Sequence, residues 1–168
     1  EIDRMILRYS ILNGALELLP QTLATMAIIP LQMKMVYRIG KAHGFELDRR
    51  HIAELLATVG LGLGSQALER VGRRLVGGLL GRVGGSLVGR LGSTATGSAF
   101  SFATTWALGQ VAERYYAGGR TLDAQRLKES FGSLLGEAKA LEARYLPEIR
   151  ERARTIDPAT VLDLVRRG

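Results

Sequence analysis

Apolar residues recur at helical spacing through the first third of the chain, and prolines divide them. The first apolar series predicts a helix over residues 1–19, which Pro20 should end or kink. The series consists of Ile2, Met5, Ile6, Tyr9, Leu12 and Leu16. Residues 18–33 carry no charge and contain Pro30. Because a bilayer-spanning helix needs about 20 apolar residues, this shorter run predicts a buried core helix with a proline kink.

Glycine and aspartate mark the next helix boundaries. Gly44 follows His43 in the manner of a glycine just beyond a helix C-terminus. Asp48 is a suitable N-cap for a helix whose buried face consists of Ile52, Leu55, Leu56 and Val59. Later in the chain, Gly118 and Gly119 predict another break.

The middle of the chain combines glycine at helical spacing with an absence of acidic residues from Arg70 to Ala112. Each glycine costs a helix interior roughly 0.5–1 kcal/mol relative to alanine, so the repeat needs compensation. Close approach of two helix backbones supplies it. We therefore expect helix-packing contacts at Gly77, Gly81, Gly84, Gly85, Gly89 and Gly92.

Leucine, valine and arginine occupy the remaining positions of this segment. At about 100° per residue, an apolar face lies opposite the glycines, and arginines recur every eight residues. A buried arginine costs about 2.5–3.5 kcal/mol at a bilayer centre, which favours an interfacial helix. We predict that lipid phosphates or other anions contact Arg73, Arg74, Arg82 and Arg90. The predicted membrane-facing residues are Leu79, Val83, Leu87, Leu91 and Trp106. A soluble hairpin whose arginines meet acidic groups elsewhere is the alternative.

An uncharged stretch over residues 91–112 is rich in serine, threonine, alanine and glycine. Its length could cross a bilayer, but its weak hydrophobicity favours a buried central helix packed on the glycine face. Trp106, Tyr115 and Tyr116 fit either an interfacial belt or a core boundary.

Charges are dense and mixed after residue 121. An amphipathic helix is predicted from Leu127, Phe131, Leu134, Leu135, Ala138 and Leu141. Pro147 is expected to start another short helix, and Asp157 with Pro158 to start the last one. The predicted fold is all-α, a single bundle of helical hairpins with a tightly packed, glycine-rich central pair. Residues 1–120 form its apolar part, and residues 121–168 form charged helices that pack on it.

Composition narrows the partners and the chemistry. The formal charge of +7 favours an anionic partner, either phospholipid or nucleic acid. Nucleic-acid motifs and interleaved aromatic residues are absent, which favours lipid. The chain has no cysteine and two histidines, His43 and His51, at a spacing unsuited to a metal pair. The glycines of residues 60–64 match no phosphate-binding motif. We therefore expect no catalytic residue, metal or cofactor.

Two carboxylates lie within apolar stretches. Glu17 and Glu54 are expected to pair with Lys34 or with an arginine. Arg150, Arg152 and Arg154 are expected on a solvated face. The small hydroxyl residues from Ser93 to Thr105 lack a base partner and are expected to serve in packing.

Two stretches resemble a known family. They are AIIPLQMKMVYRIGKAHGFEL, from Ala27 to Leu47, and FATTWALGQVAERYYAGG, from Phe102 to Gly119. With the glycine-rich middle, they resemble the YcjF-like domain, a bacterial family often linked to Era-like GTPases. The match spans roughly residues 18–131 and includes the step Ala107, Leu108 and Gly109. The resemblance implies a membrane-associated helical domain without known catalysis. This chain contains no GTPase segment.

Together these patterns predict a non-enzymatic, membrane-associating module that self-assembles through glycine faces. Its expected partners are itself and an anionic membrane, with a GTPase as a further candidate partner. Its expected location is the inner face of the cytoplasmic membrane. A soluble homo-oligomeric scaffold or a regulatory domain of a GTPase are the alternatives. Because the sequence begins at Glu1, we expect it to be a fragment of a longer protein.

Overall fold

The computed structural model describes residues 1–19, 21–61 and 92–167, and every regular element in them is an α-helix. The helices are α1 (Ile2–Glu17), α2 (Gln21–Ala42), α3 (Arg49–Thr58), α4 (Gly92–Ala117), α5 (Ala124–Thr155) and α6 (Pro158–Arg166). The all-α prediction is therefore confirmed for these residues. None of these helices combines the length and the apolar character that crossing a bilayer requires.

Helix ends lie where local side-chain chemistry places them. Asp48, Asp123 and Asp157 each accept a backbone N–H bond at the start of α3, α5 and α6. Gly44 and Gly119 have φ values of +84° and +75°, a region that glycine enters without steric cost. The predicted boundaries at Asp48, Gly44, Gly119 and Asp157 are thus confirmed.

Proline ends neither of the two helices that contain it. The prediction that Pro147 starts a separate helix is wrong, because α5 continues through it from residue 124 to residue 155. Because Pro147 has no N–H, the carbonyl of Ala143 lacks its usual hydrogen bond within the helix. Both residues are exposed, so water can satisfy that carbonyl, while the buried side chain of Ile149 anchors the following turn. Pro30 likewise lies inside α2, and the carbonyl it frees belongs to the exposed residue Met26.

Helix α4 lies at the centre of the bundle. It packs most extensively on α1, and also on α2 and α5, while α6 packs on α2. Its buried apolar side chains are Phe102, Ala103, Ala107, Leu108, Val111 and Ala112. The sequence-based prediction of a buried central helix is confirmed for these residues. The face of α3 is also confirmed, since all four predicted side chains are buried.

The contact between α1 and α4 depends on Gly109. A Cβ atom there would lie 2.6 Å from Ile6 Cγ2 and 3.2 Å from Ile6 Cβ, and Ile6 is fully buried. Overpacking of this kind costs about 1–3 kcal/mol. We therefore expect Gly109→Ala to destabilise the protein by about 1–2 kcal/mol in urea unfolding, despite the gain in helix propensity.

Gly132→Ala is the matched control for this substitution. Gly132 also lies inside a helix, but a Cβ there meets nothing within 4 Å. Here the same change is expected to stabilise by about 0.5–1 kcal/mol through helix propensity. Equal effects at the two glycines would show that α1 and α4 do not approach as described.

Candidate functional site

Most of the residues singled out by sequence lie outside the described part of the chain. These are Gly77, Gly81, Gly84, Gly85, Gly89, Arg73, Arg74, Arg82, Arg90, Leu79, Val83, Leu87 and Leu91. Gly92 is the first residue of α4. Trp106 is half-buried in the middle of α4, where it packs against the hydrophobic core.

A groove of about 1170 Å³ lies between α1 and α2 and is bounded further along by α4, α5 and α6. Arg4 and Arg8 are four residues apart on α1, and Lys34 and Arg38 are four residues apart on α2. Residues at that spacing share one face of a helix, so each pair lines one wall. Arg152 of α5 completes the set. We call this feature the cationic groove.

The floor of the cationic groove is apolar. Tyr9, Leu12 and Leu31 line it and are each at most 9% exposed. The half-buried side chains of Met5, Ile11 and Leu164 also line it. By contrast, the four arginines are exposed and Lys34 is half-buried. The groove therefore presents cations above a hydrocarbon surface.

Three acidic residues also line the groove, and two of them already have partners. Asp3 accepts a hydrogen bond from Gln110 Nε2 at 3.2 Å. Glu113 Oε2 lies 2.7 Å from Nε2 of His43, which follows the end of α2. The third is Glu1. Cations therefore outnumber carboxylates in the lining by five to three.

Within the described residues, no groove cation has a carboxylate oxygen within the 4.0 Å that defines an ion pair. Lys34 Nζ donates to the carbonyl of Leu164 at 3.0 Å, and Arg38 donates to the Tyr9 hydroxyl at 3.3 Å. Both acceptors are neutral. Glu69 is the sole side-chain carboxylate in the rest of the chain, so it cannot balance five cations.

Outside the groove, the described residues include ten arginines. Three of them pair with a carboxylate one helical turn away: Arg50 with Glu54 at 3.4 Å, Arg154 with Glu151 at 3.5 Å and Arg167 with Asp163 at 3.3 Å. The pairing expected for Glu54 is thus confirmed, on an exposed helix face. Exposure of Arg150, Arg152 and Arg154 is also confirmed. Within the described residues, the other seven of these ten arginines have no carboxylate oxygen within 4.0 Å either, so the groove is distinguished by gathering five such cations around one apolar floor.

Sequence analysis did not identify the groove. A signal was present, since each of two mainly apolar helices contains a pair of cations at a spacing of four residues. That α1 and α2 bring these pairs to one groove depends on tertiary packing, which the pattern does not specify.

Within the described residues, Glu17 pairs with neither Lys34 nor an arginine, contrary to the expectation from the sequence. Glu17 Oε1 instead accepts a hydrogen bond from Ser101 Oγ at 2.5 Å. Lys34 donates instead to the carbonyl of Leu164 in α6, and the Ser101 hydroxyl links α4 to α1. Ser101 is therefore a hydrogen-bonding residue as well as a packing residue.

Glu17 is expected to make stability depend on pH. Burial raises its pKa above the ordinary value of 4.5, which outweighs the opposing effect of the Ser101 hydrogen bond. The pKa of Glu17 is therefore higher in the folded state than in the unfolded state. Its favourable contribution to the free energy of unfolding is complete below the unfolded-state pKa and is lost as the pH rises through the folded-state pKa. Glu17→Gln should therefore exceed the wild type in free energy of unfolding at pH 8 and approach it at pH 4.

Denaturant unfolding at both pH values would test this expectation. Burial also raises the pKa of Glu142, so the variant will keep some pH dependence of the same sign. A difference between variant and wild type that is equal at pH 4 and pH 8 would contradict the assignment.

A second polar arrangement, also missed by sequence, lies in the core between α1, α2 and α4. Thr105 Oγ1 accepts hydrogen bonds from Asn13 Nδ2 at 3.0 Å and from Gln32 Nε2 at 3.1 Å. All three side chains are at most 1% exposed. We call these residues the polar cluster. It joins three helices through one hydroxyl group.

Within the described part of the chain, no three histidine, aspartate or glutamate side chains converge as a metal site would require. Comparisons of the chain with protein-family models, with curated proteins and with solved structures find no match. The resemblance to the YcjF-like domain therefore stays a prediction.

Proposed function

We propose that this chain is a non-enzymatic helical module that associates with anionic membranes at the inner face of the cytoplasmic membrane and assembles with copies of itself. The observation that carries the proposal is the convergence on one groove of five cations that have no carboxylate partner among the described residues. Near an anionic leaflet each such cation contributes about 1 kcal/mol to binding.

The sequence pattern of residues 62–91 supports the same function. This segment has five arginines and one glutamate among its leucines and glycines. Basic residues interspersed with leucine favour an interfacial location, where arginines reach phosphates and leucines enter the acyl boundary. Together with the groove, the segment gives the protein two independent means of contacting an anionic lipid surface.

Flotation with vesicles tests the membrane association. Purified protein is expected to float with vesicles that contain phosphatidylglycerol and to remain at the bottom of the gradient with pure phosphatidylcholine vesicles. If the protein floats with neither kind of vesicle, the alternative is favoured, which is a soluble scaffold whose apolar faces meet in subunit interfaces.

Self-assembly makes a separate prediction. Replacing Gly81 and Gly85 with leucine should abolish assembly, because the larger side chains would hold two helix backbones apart. Light scattering after size-exclusion chromatography would measure the oligomer mass. Gly132 and Gly136 provide a matched control, since they are also four residues apart, and a Cβ at either meets nothing within 4 Å. Unchanged mass in the Gly81 and Gly85 variant would overturn this part of the proposal.

A further inference from the structure

We infer that the cationic groove binds one anionic phospholipid molecule, with the phosphate between α1 and α2 and part of an acyl chain on the apolar floor. This inference rests on the membrane association proposed above and identifies the ligand of the same site. It goes further, because attraction to a charged surface requires neither a concave site nor a hydrocarbon lining.

The polar side chains of the cationic groove indicate that the ligand carries a phosphate group. Arg38 presents a planar guanidinium, which suits the oxygens of a phosphate. The neighbouring Tyr9 hydroxyl accepts a hydrogen bond from Arg38, which leaves its own O–H to donate to a phosphate oxygen. Lys34 adds an ammonium group that is held in place by the carbonyl of Leu164. Two cations of the α2 wall and a hydroxyl donor of the floor are thus available to one phosphate.

The apolar floor of the cationic groove indicates that the ligand also carries a hydrocarbon chain. Met5 and Ile11 on α1 and Leu164 on α6 are only half-buried, so they present hydrocarbon to the groove above the buried Leu12 and Leu31. Free phosphate would leave that surface in water. An acyl chain would cover it, and each buried methylene strengthens binding by about 0.8 kcal/mol.

The volume of the groove also suits an amphiphile. Its volume of about 1170 Å³ slightly exceeds the roughly 300–1000 Å³ that is usual for small-molecule sites, which leaves room for a headgroup and part of an acyl chain. Charge complementarity favours an anionic occupant over residues 62–91 of the same chain, since that segment is itself basic. An acidic amphipathic peptide has similar chemistry and is therefore included as an outcome of the test.

The test uses short-chain phosphatidic acids below their critical micelle concentration, so that no membrane is present. Isothermal titration calorimetry of the whole chain is expected to show one site per protein for the dihexanoyl and dioctanoyl forms. Affinity should rise roughly fourfold for each additional methylene that is buried. Glycerol 3-phosphate should bind at least about tenfold more weakly than the dioctanoyl lipid.

Two variants separate the two ends of the ligand. Arg38→Gln should weaken both the lipids and glycerol 3-phosphate. Met5→Asn should reduce the dependence on chain length while leaving glycerol 3-phosphate binding unchanged. The chain-length series on the unmodified protein remains decisive if either variant folds poorly.

Each contrary result has a distinct meaning. Equal affinity for glycerol 3-phosphate and dioctanoyl phosphatidic acid would reassign the groove to free phosphate compounds. Displacement of the lipid by an acidic amphipathic peptide of higher affinity would reassign it to a protein partner. Absence of lipid binding alongside normal vesicle flotation would overturn this inference and leave the proposed function standing, whereas loss of both would overturn both.

Discussion

Replacing Arg8 and Arg38 with glutamate is expected to lower the affinity of the protein for anionic vesicles about 100- to 1000-fold at low salt. The two residues line opposite walls of the cationic groove. Each substitution removes an attraction of about 1 kcal/mol to the anionic surface and adds a comparable repulsion. The two together therefore amount to about 3–4 kcal/mol, and 1.4 kcal/mol is a tenfold change in affinity.

Arg126→Glu with Lys128→Glu is the matched control. Both are exposed residues of α5, and their substitution changes the net charge by the same amount. At a rise of about 1.5 Å per residue, they lie about 35–40 Å along the helix from Arg152, which lines the groove. We expect this control to bind anionic vesicles within about threefold of the wild type.

Vesicle titrations by flotation would measure both variants. In about 1 M salt the Debye length falls to about 3 Å, so the groove variant and the wild type should converge. Similar losses in the groove variant and the control would mean that net charge alone governs binding. Wild-type affinity in the groove variant would show that membranes do not contact the groove.

Replacing Thr105 with valine is expected to lower the free energy of unfolding by about 2–4 kcal/mol. Valine has nearly the shape of threonine but cannot accept the hydrogen bonds from Asn13 and Gln32. Both amides are buried, and a buried polar group left without its partner costs about 1–3 kcal/mol. For a chain of this length the change corresponds to roughly 5–15 °C in melting temperature.

Thr104→Val provides a control one residue away on the same helix. Thr104 is also buried, but its hydroxyl donates to the carbonyl of Phe100 in its own helix at 2.8 Å. The carbonyl keeps its helical N–H partner when that hydroxyl is removed, so we expect a cost below about 1 kcal/mol. Urea unfolding of both variants would measure the difference, and equal destabilisation would contradict the described polar cluster.

The features that the sequence predicted well depend on neighbours in the chain. Asp48 accepts a bond from the N–H of His51, three residues away, and Gly44 ends a helix by adopting a positive φ. Such chemistry is complete within one helical turn. The buried face of α3 was also predictable, because it follows from the spacing of apolar residues, and the burial of α4 was predictable because residues 91–112 carry no charge and are only weakly hydrophobic.

The features that it missed depend on contacts between distant segments. Ser101 lies 84 residues from Glu17, and Thr105 lies 92 residues from Asn13. A carboxylate in an apolar stretch indicates that a partner exists but does not say which one. Pro147 shows the converse limit, because local chemistry predicts that it starts a new helix, whereas α5 continues through it and the tertiary packing of Ile149 holds the following turn.

For the candidate site, the sequence predicts the kind of contact, arginine with an anion, but not the residues that form the cationic groove. Sequence analysis expected arginines to contact anions, but it placed them at Arg73, Arg74, Arg82 and Arg90, outside the described residues. The cationic groove draws its charges from α1, α2 and α5 instead. The predictions for the glycine-rich segment stay predictions, and the leucine substitutions at Gly81 and Gly85 are their test.

Flotation of the unmodified protein with anionic vesicles, at low salt and again at about 1 M salt, tests the membrane association most directly. We expect the protein to float at low salt and to float in part at high salt, because screening removes the contribution of the cations but not that of buried apolar side chains. A protein that stays at the bottom of the gradient in both conditions would contradict membrane association and favour a soluble assembly.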